Sequence, residues 1–269
     1  MIANVVSIAG LDPSGGAGIL ADIKAMSAMG AYGCAVVAAL TAQNTHGVTG
    51  ILPVDPTFVR QQIDTLWADV RIDAVKVGML GQAMVVRTVA EALERHAPAH
   101  LVLDPVMVAK SGDLLLERGA ISMMREALLP QTTLLTPNLP EAGVLLDERP
   151  VETVREMRRV AERLRERMAH SGQRWVMLKG GHLPGSDTID LLHDGDRMIE
   201  LPAQRIETPN THGTGCTLSA ALAALLPQTS DVPEAAQRAK RYLTDAIAQD
   251  GRLQVGSGHG PVHHFNVWW

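Results

Sequence analysis

Short apolar runs and longer amphipathic stretches take turns along this chain. The run VVSIAG (5–10) predicts a buried strand ending at Gly10. After a glycine-rich loop, Ile19, Leu20, Ile23, Met26 and Met29 fall at helical spacing, and Gly30 makes a stop. GCAVVAALTAQ is a continuous apolar run between turn residues, as parallel strands often are. VTGILPVD predicts a short strand near an edge, and PTFVRQQIDTLWADV opens on proline and keeps a helical apolar stripe. Strands follow at 73–77, at 100–105 and in TTLLTPN, with helices at 82–96, 114–127 and, most clearly amphipathic, 153–170. RWVMLKGGH runs from strand into glycine loop, and DTIDLLHDGDRMIELPAQ predicts a hairpin turning at Asp194-Gly195. One more helix is predicted from the THGTGC loop to about 226, and a last one over 233–248.

Such alternation, with no linker rich in proline or serine, no repeat and no low-complexity segment, predicts one α/β domain over residues 1–269 around a mostly parallel sheet. The composition suits it: 46% of 269 residues are hydrophobic, enough for a sizeable core. A net charge of -5 is unlike the basic footprint of a nucleic-acid binder. Cys34 and Cys216 are too few for a disulfide framework and point to a reducing compartment. The N-terminal stretch lacks a basic start, its apolar run stops at Asp12, and no run elsewhere reaches a membrane span. The expectation is a cytoplasmic protein without signal peptide, membrane contact or nucleic-acid partner.

Ligands of open parallel sheets sit beyond the carboxyl ends of the strands, so the loops there hold the candidate chemistry. In GLDPSGGA, Gly10 and Gly15 have P-loop spacing, but Gly16 and Ala17 stand where lysine and a hydroxyl residue belong. That loop either lines a small ligand or makes a tight turn. Asp104 ends an apolar strand, where it can face a ligand or hydrated Mg²⁺, or cap the turn before Pro105. Lys110, six residues on, can meet a phosphate. Asn138 and Glu141 share one face of a helix start, as holders of Mg²⁺ waters or as a capping box. Lys179 precedes two glycines; its compact ammonium suits developing phosphoryl charge, or simply solvent.

THGTGC feeds a helix whose first-turn N–H groups and dipole make an anion site, with hydroxyls from Thr211 and Thr214. Cys216 falls in that first turn. A helix N-terminus or nearby cations lower a thiol's pKa, which would let Cys216 accept a proton from a substrate hydroxyl; the alternative is a small residue packed behind the loop. Together these loops suggest phosphoryl transfer, which depends on positioning and charge neutralisation.

Eight segments then carry a specific resemblance: IAGLDPSGGAGILADIKAM, ALTAQNTHGV, VGMLG, LDPVMVAKSG, LTPNLPEA, LKGGH, THGTGCTLSAA and GHGPVHHFNVWW. From Val5 to Trp269 the chain resembles the hydroxymethylpyrimidine kinase/phosphomethylpyrimidine kinase family of thiamine biosynthesis. The resemblance implies a ribokinase-like three-layer α/β/α sandwich and ATP- and Mg²⁺-dependent phosphorylation of 4-amino-5-hydroxymethyl-2-methylpyrimidine, then of its monophosphate. It implies that Gln43 reads the aminopyrimidine edge and that Gly10, Ala17, Met79 and Val106 line the substrate pocket. Gly213, Thr214 and Gly215 would form the anion hole, and Cys216 would stand where many ribokinase relatives carry an aspartate base. Asp104 and Glu141 would organise Mg²⁺, Lys179 would stabilise the transferring phosphoryl group, and Thr211 and Asn138 would serve the nucleotide. A homodimer is implied, with GILPVD as a contributing edge.

Leu11 departs from the small polar residue expected after IAG and either narrows the pocket or faces the sheet. Cys34 is expected in the core. His46 and His212 either orient a phosphate or make structural hydrogen bonds, and His259, His263 and His264 are expected to tie the tail to the body rather than to bind metal. Two other functions remain open: a pyridoxal or pyridoxine kinase of the same branch, and a pyrimidine-binding regulator without turnover. Retention of Asp104, Glu141, Lys179 and Cys216 argues against the regulator.

Overall fold

The computed structural model describes residues 1–107, 115–149, 151–169 and 171–269. The strands are β1 (Asn4–Leu11), β2 (Tyr32–Asn44), β3 (Gly47–Pro53), β4 (Ala74–Val77), β5 (Leu101–Leu103), β6 (Leu134–Leu135), β7 (Trp175–Leu178), β8 (Asp187–His193) and β9 (Met198–Gln204). The helices are α1 (Gly18–Ala28), α2 (Pro56–Trp67), α3 (Ala83–His96), α4 (Arg118–Met123), α5 (Leu139–Leu146), α6 (Val154–Glu166), α7 (Thr214–Leu225) and α8 (Val232–Ala248). The strands form one sheet in the order β3-β2-β1-β4-β5-β6-β7-β8-β9. Neighbours from β2 to β7 run parallel. At one edge β3 is antiparallel to β2; at the other, β8 and β9 form the expected hairpin, which turns at 194–197 on hydrogen bonds to the Asp194 carboxylate.

Side chains alternate across a strand, so each central strand feeds two cores. Val6, Ile8, Val75, Val77, Leu101, Leu103, Val176 and Leu178 pack under helices α2 to α6. Val5, Ala74, Val102, Leu134, Trp175 and Met177 pack under α1, α7 and α8. The result is the expected sandwich of helices on both faces of a mostly parallel sheet. Among the described residues, no helix is long and apolar enough to cross a membrane.

Helix starts follow capping chemistry. Asn138 with Glu141 and Thr153 with Glu156 form capping boxes for α5 and α6, and Asp55 and Asp231 cap α2 and α8. By contrast α1 and α7 begin at glycine loops without a side-chain cap. The helix expected over 114–127 differs. It starts at Arg118, widens into a π-type segment at Met124–Leu128 and closes in a 3-10 turn at Leu129–Gln131. Pro130 has no N–H with which to prolong it. Lys110 and His170, the latter at the expected end of α6, lie outside the described residues.

Leu222 of α7 is fully buried in the core shared with α1 and α8. Leu222→Ala should lower stability by about 2–5 kcal/mol, measured by urea unfolding, because the cavity it leaves only partly collapses.

Candidate active site

The loop after β1 folds around a buried carboxylate. Asp12 accepts hydrogen bonds from the Ser14 N–H (2.8 Å), the Ser14 hydroxyl (2.9 Å) and the Ala17 N–H (2.9 Å). It also reaches the other glycine loop: His212 Nε2 lies 2.7 Å from Asp12 Oδ2. Burial alone would raise the Asp12 pKa, but hydrogen bonds from His212 and Ser14 outweigh burial and hold it below the usual range. The two loops also touch backbone to backbone. Gly213, the N-cap of α7, has φ of 75°, and a Cβ there would overlap the Gly16 carbonyl oxygen. Gly10 is needed for a different reason, since Met79 packs against its open face.

The next cluster joins three strand ends. Lys179, after β7, places Nζ 3.0 Å from Asp104 Oδ1 and 3.9 Å from Glu141 Oε2. Asp104, after β5, also accepts from the Ser219 hydroxyl of α7 (3.2 Å) and the Thr136 hydroxyl (3.3 Å). Burial works against the Asp104 charge, but Lys179 and Lys76 more than compensate and keep it ionised. Glu141 is different. Burial pushes its carboxyl up to about 7, against the pull of Lys179 and with Asp104 adding to the rise. Capping and proximity to Lys179 occur together here: Asn138 and Glu141 cap α5 through reciprocal 2.8 Å bonds while Glu141 still approaches the ammonium.

Cys216 is the third residue of α7 and stays half-buried at the cleft. No carboxylate stands in that first turn and, among the described residues, no side chain caps it, which leaves the helix N-terminus open to an anion. The expected lowering of the thiol's pKa is overturned. Burial pushes the Cys216 thiol up to about 11; Lys76 opposes this, Asp22 and Asp104 add to it, and the Gly18 N–H favours the charged sulfur. Removing a charged sulfur from water outweighs the nearby cation.

One cleft of about 480 Å³ gathers these groups. Gly10, Ala17, Gln43, Met79 and Val106 line it, as do Asp104, Asn138, Glu141 and Lys179. Residues 211 and 213–216 complete the wall, so the fourteen candidate residues all meet there. Leu11 faces the same space and narrows it. Within it Gln43 Oε1 accepts from the Thr41 hydroxyl (3.0 Å), and Gln43 Nε2 lies 3.4 Å from His212 Nε2.

This chain matches the family model described as phosphomethylpyrimidine kinase over residues 12–263. It belongs to the phosphomethylpyrimidine kinase family. It is 51% identical to the hydroxymethylpyrimidine/phosphomethylpyrimidine kinase of Escherichia coli K12, over 99% of this chain and 98% of that one. Among solved structures, phosphomethylpyrimidine kinase from Clostridium difficile 630 aligns with a TM-score of 0.79 at 36% identity, over 91% of this chain and 99% of that one. A Bacillus subtilis pyridoxal kinase, solved as an ADP complex, aligns with a TM-score of 0.89 at 31% identity over 99% of both chains. The fold is therefore ribokinase-like, and the chain is a phosphotransferase of this family.

Three residues of this family member were not singled out from sequence. Asp12 was hidden among turn formers, although a carboxylate directly after a buried strand is itself a signal. Lys76 and Asp22 make a fully buried ion pair, and the signal was a lysine inside the apolar run AVKV. Cys34 is half-buried at the margin of the core rather than inside it. His46 is exposed, 3.0 Å from the Ser257 hydroxyl. The tail ties down as expected. The His259 N–H donates to the Thr45 carbonyl (2.8 Å), the His212 N–H to the Gly260 carbonyl (3.1 Å), and His264 Nε2 sits 3.1 Å from the Thr217 hydroxyl. His263 packs on the Trp269 ring, with 4.8 Å between centroids.

Gly213→Ala should abolish phosphoryl transfer and lower the melting temperature. Its methyl group must displace the loop at Gly16 and strain a positive φ. Unchanged turnover would show that the two loops need not touch.

Proposed function

We propose that this chain is a single kinase domain, residues 1–269, that transfers the γ-phosphoryl group of ATP to 4-amino-5-hydroxymethyl-2-methylpyrimidine and then to its monophosphate. The observation that carries this is the placing of Gln43, the Asp104–Lys179–Glu141 cluster and the open start of α7 around one cleft. Gln43 offers an amide donor and acceptor to the aminopyrimidine edge. Gly10, Ala17, Met79 and Val106 enclose the ring, and Leu11 trims the space beside it. The 213–216 turn, with Thr211 and Thr214, receives the phosphates, and Asn138 flanks them.

The acceptor oxygen attacks the γ-phosphorus as the bond to the β-phosphate oxygen breaks and ADP leaves. First-turn N–H groups of α7 and the Lys179 ammonium meet the charge on the transferring group. The hydroxyl proton passes to the Cys216 thiolate, the form left once the thiol has given its own proton to water. Transfer of this kind is loose, so the proton leaves late and the base acts as the new bond closes. Asp104 and Glu141 are hard oxygen donors converging on one cation, a set that fits Mg²⁺. Mg²⁺ held there would neutralise phosphate charge.

A second reading, pyridoxal kinase, draws on the likeness to the Bacillus subtilis enzyme. A coupled ADP-release assay with the pyrimidine alcohol, its monophosphate and pyridoxal separates the two. Turnover with pyridoxal alone would overturn the pyrimidine assignment. Omission of Mg²⁺ should abolish release with any of the three.

We also propose a cytoplasmic homodimer. Leu40 and its register partner Leu52 are 41% and 65% exposed at the β3 edge, where a second copy would cover them. Leu52→Lys should shift the protein to monomer in size-exclusion chromatography with light scattering.

Cys216→Ala should cut kcat by roughly 10²–10⁴-fold and leave the KM for the pyrimidine nearly unchanged. In the unaltered protein kcat should climb as pH rises from neutrality toward 11, because a raised thiol pKa leaves the base form scarce until then. A flat profile would remove the base role.

A further inference from the structure

On the sheet face covered by α7, whose first turn holds Cys216, lies a charge pair that the transfer chemistry does not touch. Lys76 occupies the middle of β4, where alternation sends Val75 and Val77 to one core and Lys76 to the face covered by α1 and α7. Its register partner on β1 is Ser7. Asp22 of α1 closes the group: its carboxylate oxygens accept from Lys76 Nζ at 2.9 and 2.8 Å, and from the Ser7 hydroxyl at 2.5 Å. Both charged side chains are fully buried.

A pair buried this deeply is weak evidence for stability, since an apolar replacement of similar volume is often as stable or more so. What distinguishes this one is its neighbour. Lys76 and Cys216 line the same cleft. The groups acting on the sulfur are Lys76 from β4, Asp22 from α1, Asp104 after β5, Lys179 after β7, and the Gly18 N–H at the start of α1. Of the charges, Lys76 favours a negative sulfur most strongly.

We propose that Lys76 is a positioning residue whose buried ammonium stabilises the Cys216 thiolate, while Asp22 fixes the ammonium in place and limits its effect. The inference deepens the kinase reading and rests on the base role given there to Cys216. In the balanced step Cys216 first gives its own proton to water; the thiolate then takes the hydroxyl proton as the oxygen–phosphorus bond forms, and ADP carries away the electrons of the broken bond. ATP is the sole co-reactant.

The test follows alkylation of Cys216 by iodoacetamide between about pH 7 and pH 11 in the full chain, without substrates and in a Cys34→Ala background. Lys76→Met should slow alkylation near neutral pH by roughly tenfold, because the thiolate then forms at a higher pH. Asp22→Asn leaves the ammonium uncompensated and should speed it. The values of kcat should fall with Lys76→Met and hold or rise with Asp22→Asn, with the pyrimidine KM steady in both.

Both substitutions break the same ion pair, so a merely structural pair would move both variants in one direction. That result, or unchanged alkylation, overturns the proposal. If Lys76→Met does not fold, Asp22→Asn decides alone, and slower or unchanged alkylation counts against the proposal. Alkylation needs no substrate, which separates the two readings. Opposite changes in the two variants without pyrimidine-dependent ADP release would support the tuning of the thiol and overturn the pyrimidine assignment.

Discussion

Charge removed from water at the carboxyl edge of the sheet is the constraint around which this molecule is arranged. Lys76, Asp22, Asp104, Glu141, Asp12 and His212 are all buried. A lone ion at such depth would cost several kcal/mol, and losing one partner of a buried pair typically costs about 3–5 kcal/mol. Each is therefore met by a partner from a different element: α1 to β4 and the β5 end to the β7 end by opposite charge, the first glycine loop to the last by a hydrogen bond between His212 and Asp12. These pairs join segments far apart in sequence. The edge that collects them becomes rigid where a phosphoryl donor and acceptor would have to be held in line.

The fold was largely legible because its signals are local. Apolar runs marked β1, β2, β4, β5 and β7; proline and an apolar stripe marked α2, the Asn138–Glu141 pair marked α5, amphipathic spacing marked α6; Asp194-Gly195 marked the hairpin. What escaped depended on neighbours in space. The start of α4 at Arg118 and its π-type continuation at Met124–Leu128 were not written in the spacing. That β2 meets an antiparallel β3 on one side and a parallel β1 on the other is a matter of pairing, and the same apolar run would serve either arrangement.

The site was legible in its membership and less so in its electrostatics. Glycine loops after strands identified the walls of the cleft. Asn138 and Glu141 showed how two readings of a motif can coexist, since the bonds that cap α5 also aim the Glu141 carboxylate at Lys179. The thiol at 216 is the instructive miss. A helix N-terminus and a cation argue for a low pKa, yet burial and two carboxylates prevail. Sequence spacing reveals the helix start but carries no measure of how far the sulfur is withdrawn from water.

That balance bears on why a cysteine stands there. Asp22 and Asp104 already place negative charge around the position, and Lys76 and Lys179 are engaged by them. A third carboxylate would be opposed by Asp22 and Asp104, since like charges so close cannot all ionise. A thiol carries no resting charge, so the buried pairs keep their geometry until a phosphoryl acceptor arrives. It takes the substrate's proton only after losing its own to water, and a neighbouring ammonium makes that thiolate tolerable. The arrangement of Lys76 against Asp22 and the choice of sulfur at 216 are then two halves of one electrostatic solution.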